Sequence, residues 1–163
     1  MKLLVMGLSG SGKTTLAKPL AELIGGVHLN ADAVRTKYDD WDFSTEGRLR
    51  QAERMLHMAD GIEMAGKIAV TDFIAPTEQA RQIFNADYTI WMDTIDNSGH
   101  PDTDAMFEPP MEYNYHVKKW FTDTHAQLVL IVQNYIAKLD DIKNDRAPGT
   151  STQPLDFKTE AKK

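Results

Sequence analysis

Gly7-Leu8-Ser9-Gly10-Ser11-Gly12-Lys13-Thr14, followed by Thr15, matches the phosphate-loop pattern G-x-x-x-x-G-K-[ST] at every fixed position. Ahead of it, Leu3, Leu4, Val5 and Met6 form a short apolar run that predicts a buried strand. Behind it, Leu16, Ala17, Leu20, Leu23 and Ile24 recur at helical spacing. A strand, a glycine-rich turn and a helix start thus follow one another. In such a turn the backbone N–H groups point inward at a phosphate, and the helix N-terminus adds partial positive charge. Lys13 supplies a mobile cation for terminal phosphates, and the Thr14 hydroxyl suits the magnesium ion that bridges them. Ser9, Gly10, Ser11, Gly12, Lys13, Thr14 and Thr15 are therefore the candidate nucleotide-binding residues.

The 163 residues suffice for one domain with a substantial core. A formal net charge of −6, with no basic tract ahead of the C-terminal stretch, argues against tight binding to duplex nucleic acid. The absence of cysteine excludes disulfides, thiolate catalysis and Cys-based zinc sites, and fits a cytoplasmic location. No apolar run approaches membrane-spanning length. A first strand beginning near Lys2 leaves no room for a signal or transit peptide.

Outward from the loop, Val27-His28-Leu29 predicts a second strand ending at Asn30-Ala31-Asp32, and Ala33 to Lys37 a helical turn. Tyr38 to Phe43 is an acidic, aromatic loop. Ser44 is an N-cap candidate for a helix over about Thr45 to Ala65, where Leu49, Ala52, Leu56, Ala59 and Ile62 form the apolar stripe and Gly66 suits the C-terminal end. Ile68 to Asp72 predicts a third strand, Pro76 a helix start running to about Phe84, and Tyr88 to Met92 a fourth strand ending at Asp93. Thr94 to Tyr113 lacks an apolar period and reads as a loop. Tyr115 to Val117 suggests a last strand, and Leu128, Ile131, Val132, Tyr135, Ile136 and Leu139 the apolar face of a last helix. A domain over residues 1–140 and a polar, poorly ordered tail over 141–163 follow from the change in composition.

Alternating strands and helices predict an α/β fold, three layers α/β/α with a mostly parallel five-stranded sheet. Ligands bind such sheets at the carboxyl ends of the strands. That rule places the phosphate loop, Asp32, Asp72 and Asp93 along one rim, with capping or turn chemistry as the alternative for each acid.

Together these segments resemble the adenylylsulfate kinase family of P-loop kinases. The family's GLSGxGK[ST]T corresponds to Gly7 to Thr15, and its D-G-D-N-[VI]-R to Asn30-Ala31-Asp32-Ala33-Val34-Arg35. G-F-S-x-E-D-R corresponds to Asp42-Phe43-Ser44-Thr45-Glu46-Gly47-Arg48, and S-F-I-S-P to Asp72-Phe73-Ile74-Ala75-Pro76. D-T-P corresponds to Asp93-Thr94-Ile95, and Y-E-P-P to Phe107-Glu108-Pro109-Pro110. The resemblance implies the P-loop NTPase fold and a phosphotransferase that passes the γ-phosphate of ATP, with Mg2+, to the 3′-hydroxyl of adenylylsulfate or a related nucleotide-like acceptor.

Carried over residue by residue, Asp32 is the candidate base or orienting group for the acceptor hydroxyl, and with Lys13 forms the candidate catalytic pair. Arg35 and Arg48 would hold an anionic acceptor. Phe43 and Phe73 would sandwich a flat ring, with Gln51 and Ile74 beside them. A solvated helix face for Arg48, and a staple at the helix start for Phe43, are the alternatives. Thr14 and Asp72 are the candidate metal-site residues, Asp72 through a magnesium-bound water. Trp120 is a candidate wall for the nucleotide base, with ordinary packing as the alternative. The five histidines show no metal-ligand spacing and read as structural or exposed.

The chain also departs from the family. The long basic lid after D-T-P is replaced by a short acidic stretch, Ile95 to Met106, and no arginine occurs between Arg81 and Arg146. Ala75 and Asp72 stand where the family has serines, and Gln51 where it often has Asn. The expected consequences are weak transfer to adenylylsulfate, a less anionic acceptor, or a clamp supplied by the second subunit of a homodimer; Lys118, Lys119 and Arg81 are the remaining cations nearby. Two other readings are a P-loop kinase for a nucleoside, nucleotide or polynucleotide end, and a non-catalytic nucleotide-binding switch. For the switch, Thr36-Lys37-Tyr38-Asp39 and Asp96-Asn97-Ser98-Gly99 resemble guanine-nucleotide motifs, but in reversed order.

Overall fold

β1 (Lys2–Gly7) is buried at every position, which a strand achieves only with neighbours on both edges and cover on both faces. The computed structural model, which describes residues 1–146, supplies both. β3 (Ala69–Asp72) and β4 (Tyr88–Met92) flank β1, β2 (Val27–Asn30) lies outside β3, and β5 (Tyr115–Val117) lies outside β4. The order is β2-β3-β1-β4-β5 and every pairing is parallel.

Alternation along β1 divides the core. Leu3 and Val5 pack with Leu16 and Leu20 of α1 (Lys13–Ile24) and with Leu128, Ile131 and Tyr135 of α6 (Thr124–Arg146). Leu4 and Met6 pack with Val34 of α2 (Ala31–Tyr38), Ala52 and Met55 of α3 (Thr45–Met64), and Ala80 and Phe84 of α4 (Glu78–Phe84). The result is the three-layer α/β/α arrangement of P-loop proteins, as expected. Among the described residues no helix is long and apolar enough to cross a membrane.

Four elements differ from their predicted bounds, each for a local reason. α2 starts at Ala31, because the Asn30 side chain caps it by accepting from the Ala33 N–H at 2.9 Å. Asp32 therefore sits in a first helical turn. α4 starts at Glu78 and not at Pro76. Thr77 is its N-cap, and the Pro76 carbonyl accepts from the Glu108 N–H at 2.7 Å. Within the expected 94–113 loop lies α5 (Pro101–Met106), with Pro101 in its first turn; six residues are too few to display a helical period. α6 runs past Asp140 to Arg146, and the rest of the expected tail lies outside the described residues.

Candidate active site

The phosphate loop leaves β1 through Gly7, whose φ is +148°; a Cβ there would lie 2.4 Å from the Met92 carbonyl oxygen, so only glycine fits. Gly12, at φ +93°, caps α1 and lies under Trp120, 3.2 Å from the indole to the position a Cβ would take. Two bonds pin the curl: Ser11 N–H to the Leu8 carbonyl at 3.1 Å, and Thr94 Oγ1 to the Ser11 carbonyl at 2.8 Å. Lys13 donates to the Leu8 carbonyl at 2.9 Å. Burial lowers the Lys13 ammonium to about 8, against the pull of the Asp72 and Asp32 carboxylates, which raises it.

A cavity of about 340 Å3 opens in front of this loop. Ser9, Gly10, Gly12, Lys13, Thr14 and Thr15 form one part of its wall. Asp32, Arg35, Phe43, Arg48, Gln51, Phe73 and Ile74 form another, and Asp72 also lines it. The exception among the sequence-predicted residues is Ser11. Its side chain is fully buried and its Oγ has no hydrogen-bond partner, so it offers the cavity no hydroxyl. Trp120 also reaches the cavity.

Four arginines hold the loop between α2 and α3 that carries Phe43. Arg50 donates to Asp40 at 2.8 and 3.2 Å and to Asp42 at 3.1 Å; Arg54 donates to Asp40 at 2.6 Å. These bonds keep the Asp40 carboxyl well below the usual carboxylate range. Arg35 donates to the carbonyls of Asp40 (3.0 Å) and Asp42 (3.2 Å), and Arg48 Nε to that of Phe43 (3.0 Å). The half-exposed Phe43 ring thereby lies 4.5 Å from the Arg35 guanidinium and 5.4 Å from that of Arg48. Both arginines are buried, so Arg48 does not lie on a solvated face. Burial lowers both below their ordinary range, which for arginine still leaves full charge at neutral pH. Phe73 is buried edge-on against Phe84 at 5.4 Å. Gln51 donates to the Ala31 carbonyl at 3.0 Å. A carbonyl can only accept, so this bond fixes the amide and leaves its Oε1 buried without a donor.

Three cations and one acid singled out from the sequence lie off the cavity wall. Arg81 does not line the cavity. It is buried with its guanidinium on the Ala75 carbonyl (2.7 Å), the Glu108 carbonyl (2.9 Å) and Glu78 (3.2 Å). It thus braces Ala75, which sits at φ +46° on the cavity wall. Lys118 and Lys119 are likewise not on that wall. Asp93 is held at 2.9 Å by His116, which stacks on Trp91 at 4.1 Å, so this rim acid belongs to a side-chain cluster outside the cavity.

Sequence reading missed Asn30 and His28. Asn30 Nδ2 donates to Asp72 Oδ1 at 2.8 Å and to Thr14 Oγ1 at 3.2 Å, and Thr14 Oγ1 donates to Asp72 Oδ1 at 3.3 Å. His28 Nε2 bonds the other Asp72 oxygen. Asn30 was legible as a helix N-cap; nothing in the sequence marks His28. The Thr14 hydroxyl and Asp72 carboxylate are hard oxygen donors beside a phosphate loop. Among the described residues no cluster of three or more His, Cys, Asp or Glu could hold a metal by itself. That donor set fits magnesium, which takes one or two protein oxygens and completes its shell from phosphate and water.

A family model described as adenylylsulphate kinase matches residues 1–99. A probable adenylyl-sulfate kinase of Aeropyrum pernix is 37% identical over 83 residues, which are 47% of this chain and 45% of that relative. The match thus spans less than half of the curated relative. In structure the chain is similar to the APS kinase of Mycobacterium tuberculosis in complex with AMPPNP and APS. The TM-score is 0.72 at 18% identity, over 83% of this chain and 96% of that one. It is also similar to a sugar kinase from Janibacter sp., with a TM-score of 0.66 at 19% identity over 86% and 96% of the two chains. At these identities the structural likeness speaks for the fold.

Proposed function

The chain belongs to the adenylylsulphate kinase family, and from that premise we propose that it is an ATP-dependent kinase whose acceptor is a nucleotide-like hydroxyl compound less anionic than adenylylsulfate. One observation carries the reading: the phosphate loop, the Asp32 carboxylate and the Arg35–Phe43–Arg48 group line a single cavity. A donor phosphate and an acceptor hydroxyl can meet there.

The loop amides and Lys13 hold the terminal phosphates of ATP, and Trp120 flanks the loop. Asp32, in the first turn of α2, orients the acceptor hydroxyl and takes its proton. The hydroxyl oxygen bonds to the γ-phosphorus as the bond to the ADP oxygen breaks. Thr14, and Asp72 through water, would hold a magnesium ion, which would supply neutralisation of the phosphate oxygens. The half-exposed Phe43 offers an apolar ring to a flat group, with the buried Phe73 in the same cavity wall, and Gln51 Oε1 requires an N–H or O–H donor from the acceptor.

The way the cations are committed supports a reduced charge on the acceptor. Among the described residues the cavity's cations are Lys13, Arg35 and Arg48. Arg35 spends one nitrogen on two carbonyls, and Arg48 spends donors on Phe43 and Thr103. Asp102 also lies near enough to Arg48 to act on its charge. ADP release should be measured side by side with adenylylsulfate, nucleosides and nucleoside monophosphates. The reading expects a higher kcat/KM for a less charged acceptor; efficient, specific use of adenylylsulfate by the isolated chain would overturn it.

A further inference from the structure

Asp72 ends β3 with 2% of its surface exposed, and among the described residues no lysine or arginine pairs with it. Its two oxygens are treated differently. Oδ1 receives Thr14 and Asn30, whereas Oδ2 receives His28. The sheet produces this arrangement. Asn30 is paired with Asp72 across the parallel β2–β3 register, and His28, two residues earlier on β2, shares Asn30's face.

A carboxylate turns about a broad two-fold torsion when only one oxygen is held. A donor on the second oxygen fixes its plane. Carboxylate oxygens accept, so His28 Nε2 is the donor in this bond. We propose that His28 is a positioning residue for the Thr14–Asp72 pair: its Nε2–H on Oδ2 keeps Oδ1 turned toward the Thr14 hydroxyl, the pair that would hold the hydrated divalent cation accompanying a nucleotide. The inference rests on the magnesium–nucleotide reading given above. Partners that orient a metal-site carboxylate typically account for about 10–100-fold in metal affinity.

ADP binding to the full chain, measured by titration calorimetry with and without Mg2+, tests the role without turnover. His28→Leu removes the donor; His28→Gln keeps an N–H of similar reach. The expected result is that His28→Leu cuts the magnesium-dependent gain in ADP affinity about tenfold. Its metal-free ADP affinity should stay within about twofold of wild type, and His28→Gln should restore most of the gain. An unchanged gain in His28→Leu would overturn the role. So would a folded His28→Gln as impaired as His28→Leu, or a loss of metal-free affinity of the same size. If the wild-type chain gained nothing from Mg2+, the magnesium–nucleotide reading would fall, and the positioning role with it.

Discussion

Arg48 donates to Thr103 Oγ1 across 2.6 Å. The bond fastens α3, in the family-matched part of the chain, to α5, which lies beyond it. It also occupies one guanidinium nitrogen of an arginine that lines the cavity. Thr103→Val should therefore have two opposite effects. Thermal stability falls, by about 1–3 kcal/mol, because a buried charged donor loses its partner. Affinity for anionic acceptors rises severalfold, because the same donor is released. Denaturant melts and acceptor KM values on one preparation separate the two effects.

Asp32→Asn should lower kcat by about 10²–10⁴-fold, the range for loss of a general base. The KM for ATP should stay within about threefold, because the residue's proposed partner is the attacking hydroxyl. A change confined to ATP affinity would make Asp32 a nucleotide or metal ligand instead.

Lys13 sets a pH dependence whose sign is fixed. Its ammonium is lowered to about 8 in the free chain, from an ordinary value of 10.5. Between these values the folded chain binds fewer protons here than the unfolded chain. This group's contribution to stability therefore rises as pH climbs through that window. Nucleotide binding runs the other way, because phosphates favour the ammonium. The Lys13 contribution to ADP affinity should be flat below pH 7 and fall above about pH 8, by up to about tenfold per unit, with proton uptake on binding. Calorimetry in two buffers of different ionisation heat measures that uptake. Lys13→Ala should abolish both the uptake and phosphoryl transfer.

Gly47→Ala should damage the acceptor wall from behind. A Cβ at this position would lie 2.2 Å from the Asp42 carbonyl oxygen and 2.5 Å from its carboxyl carbon. That backbone must move, and Phe43 adjoins it. A stability loss above about 2 kcal/mol, with a raised acceptor KM and unchanged ADP affinity, is the expected pattern.

The sequence was most readable where chemistry is contiguous. The phosphate loop, its strand and its helix lie within residues 2–24, and each announces itself by period or spacing. Asp32, Arg35, Phe43 and Arg48 were readable as site candidates through the resemblance, and the fold brings them to one cavity. What stayed hidden depends on contacts made by the sheet or across loops. His28 meets Asp72 only because β2 pairs with β3, 44 residues away along the chain. Arg81 read as a cation near the site, yet besides its helix neighbour Glu78 its acceptors are the backbone carbonyls of Ala75 and Glu108, which no composition pattern reveals.

The bond from Asn30 to Asp72 also constrains the order in which this wall can change by mutation. The family motif puts an acid at the position of Asn30 and a serine at that of Asp72, so here the carboxylate stands on the neighbouring strand. Between those two states lie only two single-step intermediates. One has acids on both strands at hydrogen-bonding distance, where one must hold a proton or repel the other. The other has none, and the Thr14 hydroxyl loses its carboxylate partner. Asn30→Asp alone and Asp72→Ser alone should each weaken magnesium-dependent ADP binding more than the two together. A double-mutant cycle would then return a large, favourable interaction energy. On that account a change at either position is tolerated best together with the change at the other.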